Sequence, residues 1–301
     1  MKFTKILLIA IILVMVAALS GCPLLEGEIP AVSAPSEPNL ALDGQLEVHI
    51  IDVGQGDAHL IITPCERVIK VDGGDNNTRQ DVVDYLNNLG IEHIDIVVVT
   101  HPHADHIGGL IGVLDEFSVG VIYKPDVPAN LLPDTRTLER FMGLIESNEI
   151  ETRAAVAGYV MWNYANVEIK VLSPSGGSYS RLNEYSLILS VTYGDTRAIL
   201  TGDAYQSNEQ WILTQDFEIA ACILVLGHHG SNTSSYEGFL AAVNPTYAIV
   251  SAGRDNRHGH PHSAVIERVG AVGSAIVRTY EVGSIVAVSD GARFVVTYGR
   301  N

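Results

Sequence analysis

The sequence predicts an α/β protein in which two sheets pack face to face and helices cover their outer sides. Three observations predict it. The chain falls into two strand-rich sections, each with helices of its own, and no short-period repeat runs through it. Its short apolar runs are rich in Val and Ile, as strands buried on both faces are. The longer stretches between them space their apolar residues at helical intervals.

Residues 46–52 alternate and then run apolar, as a strand entering a core, and 59–62 and 68–71 read as the next two strands. Residues 80–89 carry Val82, Val83, Leu86 and Leu89 at helical spacing, and Gly90 is a natural stop. A buried β-branched strand follows at 94–100, then a helix at 109–117. A clearer amphipathic helix spans 135–147, with Leu138, Phe141, Met142 and Ile145 on one face. In the second section 167–172, 185–193, 197–201, 223–226 and 246–251 read as strands, with helices at 207–214, 235–243 and 263–269. The end is strand-rich, at 275–278, 284–288 and 294–298.

The first 21 residues read as a targeting segment. Lys2 and Lys5 precede an apolar run over residues 6–19, and Leu19-Ser20-Gly21-Cys22 follows. This resembles the lipobox of bacterial and some archaeal lipoproteins, with Cys22 as the lipidated residue. The run is short for a membrane span, which needs about 20 residues. A short membrane anchor with an incidental cysteine is the other reading. Both place the body outside the cytoplasm, as a membrane-anchored lipoprotein or a secreted protein. Residues 22–44, rich in Pro, Ser, Glu and Ala towards their end, read as a flexible tether. Residues 45–301 form the globular part, long enough for one large domain or two intimately packed halves.

The formal net charge is −17, and loss of Lys2 and Lys5 with the signal would take it to −19. So acidic a balance argues against strong non-specific binding to nucleic acid or anionic lipid. Beyond the signal the only lysines are Lys70, Lys124 and Lys170. Cys65 and Cys222 lie far apart and in no CxxC pattern. They point away from cysteine-ligated zinc, and Cys222 reads as a buried thiol.

The chemistry is concentrated in His101-Pro102-His103-Ala104-Asp105-His106, which follows the strand ending at Thr100. Three imidazoles and a carboxylate within six residues suit zinc, manganese or iron. Ligands at alternate positions of an extended turn converge on one ion, and Asp105 and His106 then turn to a second.

This segment matches the HxHxDH motif of the metallo-β-lactamase fold, and further blocks resemble its competence-protein (ComEC-type) branch. They are Ile51-Asp52-Val53-Gly54-Gln55-Gly56-Asp57-Ala58, Val71-Asp72-Gly73-Gly74, Asn183-Glu184-Tyr185-Ser186-Leu187-Ile188-Leu189, Leu200-Thr201-Gly202-Asp203, Leu226-Gly227-His228-His229-Gly230-Ser231 and Asn256-Arg257-His258-Gly259-His260-Pro261-His262. The resemblance implies a four-layer αββα sandwich and a hydrolase with two divalent ions, zinc or manganese. Carried over, His101 and His103 hold one ion, Asp105 and His106 the other, and Asp203 bridges them. His229 closes the second site. Asp105, His228 and His260 are the catalytic candidates, His228 as a phosphate-facing or proton-transferring group. Many members of the fold have a further histidine between the HxHxDH loop and the bridging aspartate. This chain has none between His106 and Asp203, which leaves Asn183 or water to complete the first shell.

Asp52 is expected to orient the metal loop, with Gln55, Asp57 and Ser231 also behind the ligands or lining the pocket. For Asp52, Gln55 and Asp57, tight-turn chemistry with Gly54 and Gly56 is the competing reading. His260 reads as a phosphoryl contact or as part of a turn around Pro261, and Arg254 and Arg257 as a local basic patch. His49 and His59 read as structural, and His93 as a loop residue.

The function implied is an extracytoplasmic phosphodiesterase or nuclease, acting as a monomer on single-stranded DNA, a nucleotide or a wall-linked phosphodiester. Two alternatives stand beside it. One is a non-catalytic lipoprotein that holds nucleic acid for uptake; the other is an amide, lactone or thioester hydrolase on the same fold.

Overall fold

The computed structural model describes residues 44–299. The signal segment, Cys22 and all of the tether but Gly44 lie outside these residues.

The strands are β1 (Leu46–Ile50), β2 (His59–Ile62), β3 (Val68–Val71), β4 (His93–Val98), β5 (Ser118–Lys124), β6 (Glu151–Ala154), β7 (Val160–Tyr164) and β8 (Val167–Ser173). They continue with β9 (Ile188–Tyr193), β10 (Thr196–Leu200), β11 (Ile223–Val225), β12 (Tyr247–Val250), β13 (Ala275–Arg278), β14 (Ser284–Ser289) and β15 (Phe294–Gly299). The helices are α1 (Arg79–Asn88), α2 (Ala104–Ile107), α3 (Leu110–Glu116), α4 (Arg136–Ser147), α5 (Gln206–Ile212), α6 (Glu237–Val243), α7 (Ser263–Ala271) and α8 (Thr279–Val282).

One sheet has the order β15-β14-β1-β2-β3-β4-β5-β6 and the other β13-β12-β11-β10-β9-β8-β7. Each is antiparallel on one side and parallel on the other: β3 to β6 run parallel, as do β10 to β13. Val48, Ile50, Ile69, Val71 and Val98 of the first sheet share a buried cluster with Val171, Leu189, Leu200 and Val225 of the second. The intervening residues face outward. Leu60 and Val97 pack under α1, α3 and α4, and Ile199 and Leu224 under α5, α6 and α7. Strand alternation thus splits one apolar repertoire into three cores, and the four layers expected are present.

The differences from the predicted elements have physical reasons. Residues 185–187 do not extend the strand before β9, because Leu182–Tyr185 closes a short 3-10 turn that carries Asn183. His93 opens β4 instead of lying in a loop, with its Nδ1 2.7 Å from Ser118 Oγ. β5, β6 and β7 were unread because their side chains are mostly polar or half-exposed. In α4 the Thr135 hydroxyl accepts from the Leu138 amide and caps the helix. Phe141, Leu144 and Ile145 are its buried face, whereas Met142 points outward, as does Leu89 beyond α1. Cys65 and Cys222 are free and half-buried, so Cys222 is not the buried thiol expected.

Candidate metal centre

The chemistry-bearing loops leave the C-terminal ends of β3, β4, β10, β11 and β12. Because β3 and β4 run parallel, as do β10, β11 and β12, their loops gather at one edge of the sandwich. The chain after β4 stays extended through His103 (φ −79°, ψ 154°) and then enters α2. That change of conformation splits the HxHxDH segment. His101 and His103 stand on extended backbone, and Asp105 and His106 stand on the first turn of α2.

Asp203, after β10, is buried between two sets of imidazoles. Its Oδ1 lies 3.2 Å from His106 Nε2 and 3.3 Å from His229 Nε2. Its Oδ2 lies 3.6 Å from His101 Nε2 and 3.5 Å from His228 Nε2, and it accepts from Asn183 Nδ2 at 3.1 Å. Asp105 Oδ2 is 3.5 Å from His229 Nε2, and His103 Nδ1 is 2.8 Å from His101 Nε2.

His228 and His229 both have left-handed backbone, at φ 52° and 58°. This conformation is rare for residues with a Cβ. It sends two adjacent rings to different oxygens of Asp203. The ring faces are set from behind. His229 Nδ1 lies 3.0 Å from the Ser251 carbonyl, which takes its hydrogen and turns Nε2 towards Asp203 as the ligating nitrogen. His106 Nδ1 is held at 2.7 Å by Asp72 Oδ2, and His228 Nδ1 lies 2.9 Å from Thr233 Oγ1.

These residues fit a divalent ion. His106 Nε2, Asp203 Oδ1 and His229 Nε2 are buried and have no hydrogen-bond partner, yet they face one another. Buried polar atoms are otherwise almost always paired. His101, His106 and Asp203 form one group of donors within ligand reach, and Asp105, His106 and His229 form another. The electrostatics agree. Burial opposes charge on His229, but Asp203, Asp57 and Asp105 outweigh it and raise its pKa to about 10. His106 is likewise held well above the imidazole range by Asp203 and Asp72, against burial. Burial also pushes Asp203 and Asp105 up, yet the neighbouring histidines hold both well below the carboxylate range. Protons thus sit where the carboxylates call for positive charge, and a metal would displace them. On the other side burial lowers the pKa values of His101, His103 and His228, which keeps their lone pairs available.

The metallo-beta-lactamase superfamily pattern matches residues 51–254, which include these donors. The chain belongs to the metallo-beta-lactamase superfamily. It is 28% identical over 265 residues to ComE operon protein 3 of Bacillus subtilis (strain 168), covering 82% of this chain and 33% of that protein. It is 30% identical over 243 residues to Competence protein ComA of Neisseria gonorrhoeae, covering 80% and 32%. The chain therefore spans about a third of the length of these relatives. Among solved structures, Igni18, a metallo hydrolase from Ignicoccus hospitalis KIN4/I, superposes with TM-score 0.52 at 13% identity, over 80% of this chain and 98% of that one. CmlA, a diiron beta-hydroxylase from Streptomyces venezuelae, gives the same TM-score and identity over 80% and 53%. Both share the fold.

Other predicted residues of this metallo-β-lactamase centre occupy a second tier or the rim. Asp52 does not reach the metal loop: its Oδ1 accepts from the Gly54 amide, and its own amide donates to Ser284 Oγ. The turn reading holds for it. Gln55 Oε1 accepts from Gly253 N, and Ser231 Oγ accepts from Thr233 Oγ1. Asp57 is buried behind the ligands, 3.5 Å from His229 Nδ1 and 3.8 Å from His59 Nε2. The carboxylate that holds the metal loop is Asp72, which the sequence reading placed only at the end of a strand. Its oxygens take the Thr100 amide, the Thr100 hydroxyl and His106 Nδ1. The available signal was an acid between a buried apolar strand and two glycines.

At the mouth, His260 lies 5.5 Å from His228 and 6.3 Å from His229, ring centre to ring centre. Burial and the surrounding histidines lower its pKa to about 4. His258 stacks on it, and Arg257 Nε donates to His258 Nε2. His262 Nδ1 accepts from Asn232 N and turns towards the loop, and Arg254 donates to the Tyr280 carbonyl. Across the mouth Arg181 lies over the Tyr205 ring, which lies 5.7 Å from His228.

Proposed function

We propose that this chain is an extracytoplasmic phosphodiesterase that works with two divalent ions. The observation that carries the reading is Asp203, whose two oxygens face separate histidine sets. Superfamily membership and competence-protein relatives support a hydrolase with an envelope role. In this reading His101, His103 and His228 would hold one ion and Asp105, His106 and His229 the other, with Asp203 facing both sets. His228, 3.5 Å from Asp203 Oδ2, is then available to that first set, which has no histidine from between His106 and Asp203.

Divalent ions held there supply Lewis acidity and activate water at neutral pH. The remaining work falls to the protein. Asn183 donates to Asp203 and fixes its rotamer. His260, with its lowered pKa, presents a neutral ring that can donate a hydrogen bond to a phosphoryl oxygen. Arg181, over the Tyr205 ring beside His228, and Arg257, bonded to the His258 that stacks on His260, put positive charge close to these rings. The overall charge of −17 still disfavours long duplex DNA, and short or single-stranded phosphodiesters meet less repulsion.

A panel of bis-p-nitrophenyl phosphate, single-stranded DNA and nitrocefin, each with Zn²⁺ or Mn²⁺, tests the reading. Cleavage of the two phosphodiesters and not of nitrocefin is expected. Cleavage of nitrocefin alone would replace it with an amide-hydrolase reading. Metal-independent DNA binding with no turnover would replace it with a binding protein.

A further inference from the structure

Lys70 heads the fully buried side chains by size among the described residues. It lies in β3 between Ile69 and Val71, which both face the core between the sheets, so alternation turns it to the helix side. A lysine at such a place is costly unless its charge is satisfied. Its three bonds all go to main-chain carbonyls: Nζ donates to His59 O at 3.0 Å, to Val71 O at 3.3 Å and to Asp72 O. An ammonium has three N–H groups, and these carbonyls take all of them. Burial pushes its pKa down to about 7 against the pull of Asp72 and Asp57.

What this cage holds is Asp72. Asp72 is fully buried and left-handed, with φ 48°. That conformation is strained for a residue with a Cβ and persists only where its surroundings impose it. From it, Oδ1 accepts from the Thr100 amide at 2.8 Å. Oδ2 accepts from the Thr100 hydroxyl at 2.5 Å and lies 2.7 Å from His106 Nδ1. Thr100 adjoins His101, so one carboxylate sets both ends of the metal loop.

We propose that Lys70 is a positioning residue of the metal centre: its buried ammonium holds the Asp72 main chain where the carboxylate can orient Thr100 and His106. The effect on ion affinity rests on the metal reading above; the effect on Asp72 belongs to the metal-free protein.

The test uses Lys70→Met in the full chain with two readouts. In EDTA-treated protein, hydrogen exchange at the Thr100 amide should speed up about tenfold or more, while the amides of Ile199 and Leu224 in the other sheet stay unchanged. Mn²⁺ affinity should fall about 10- to 100-fold, as it does when residues behind metal ligands are removed. Lys70→Met combined with Asp72→Asn should bind Mn²⁺ no more weakly than Asp72→Asn alone. Lys70→Gln, with two N–H donors on a shorter stem, carries the same expectations if the methionine variant does not fold. Unchanged Thr100 exchange, or losses of affinity that add in the double variant, would overturn the proposal. A wild-type chain that binds no Mn²⁺ would sink the metal reading, and Thr100 exchange would still decide the role of Lys70.

Discussion

Asp203→Ala is expected to lower metal-dependent turnover by about a thousandfold or more, because metal stabilisation of the transition state is worth several kcal/mol. The physical ground is the division of its two oxygens. Oδ1 faces His106 and His229, and Oδ2 faces His101 and His228. Among the described residues, Asp105 comes within ligand reach of His106 and His229, both on one side, and Asp57 lies behind His229. The fold should survive, since the loop carrying Asp203 also hangs on main-chain bonds such as His228 N to Gly202 O. Hydrolysis of bis-p-nitrophenyl phosphate with Mn²⁺, beside a circular dichroism melt, measures both. Full turnover in a folded variant would remove Asp203 from the mechanism.

Gly109→Ala should be severely destabilising: among the described glycines an added methyl meets its nearest neighbour most closely here. A Cβ at Gly109 would run into the Gly73 carbonyl, with the carbonyl carbon 2.8 Å away. The contact is backbone on backbone, so no rotamer change relieves it. The two segments are also laced together, Gly73 N donating to His106 O and Gly109 N to Gly74 O. Forcing them apart moves Asp72 away from His106 and strains the whole metal loop. Overpacking costs about 1–3 kcal/mol and sometimes more, and this site belongs at the upper end. Urea unfolding measures it, with Gly143→Ala in α4 as the control. A methyl at Gly143 meets nothing within 4 Å, and there alanine should stabilise the helix by up to about 1 kcal/mol. Equal midpoints for the two variants would show that the packing of the 73 and 109 segments is not critical.

The architecture was legible wherever residues are buried on one regular face. β4, β11 and β12 announce themselves as apolar runs rich in Val and Ile, and the ligands follow directly after β4 and β11. β5, β6 and β7 did not, because half of each faces solvent and the apolar signal is diluted. The site was legible where ligand types crowd in sequence, as at His101 to His106. It was illegible where the chemistry is supplied by conformation. Nothing local says that His228 and His229 take left-handed backbone and part to opposite sides of Asp203. Asp52 and Asp72 are both acids just after a strand, and only the tertiary path decides that Asp72 meets His106 while Asp52 closes a turn. Lys70 stood out only as one of three lysines beyond the signal, because nothing in its neighbours shows that three carbonyls converge on it.

Calorimetric titration of EDTA-treated protein with Mn²⁺ or Zn²⁺ decides whether these residues hold a pair of ions. Two ions should bind per chain, with a release of protons as His106 and His229 give up theirs. A single ion per chain would contradict the bridging role of Asp203, and no binding at all would contradict the metal centre itself.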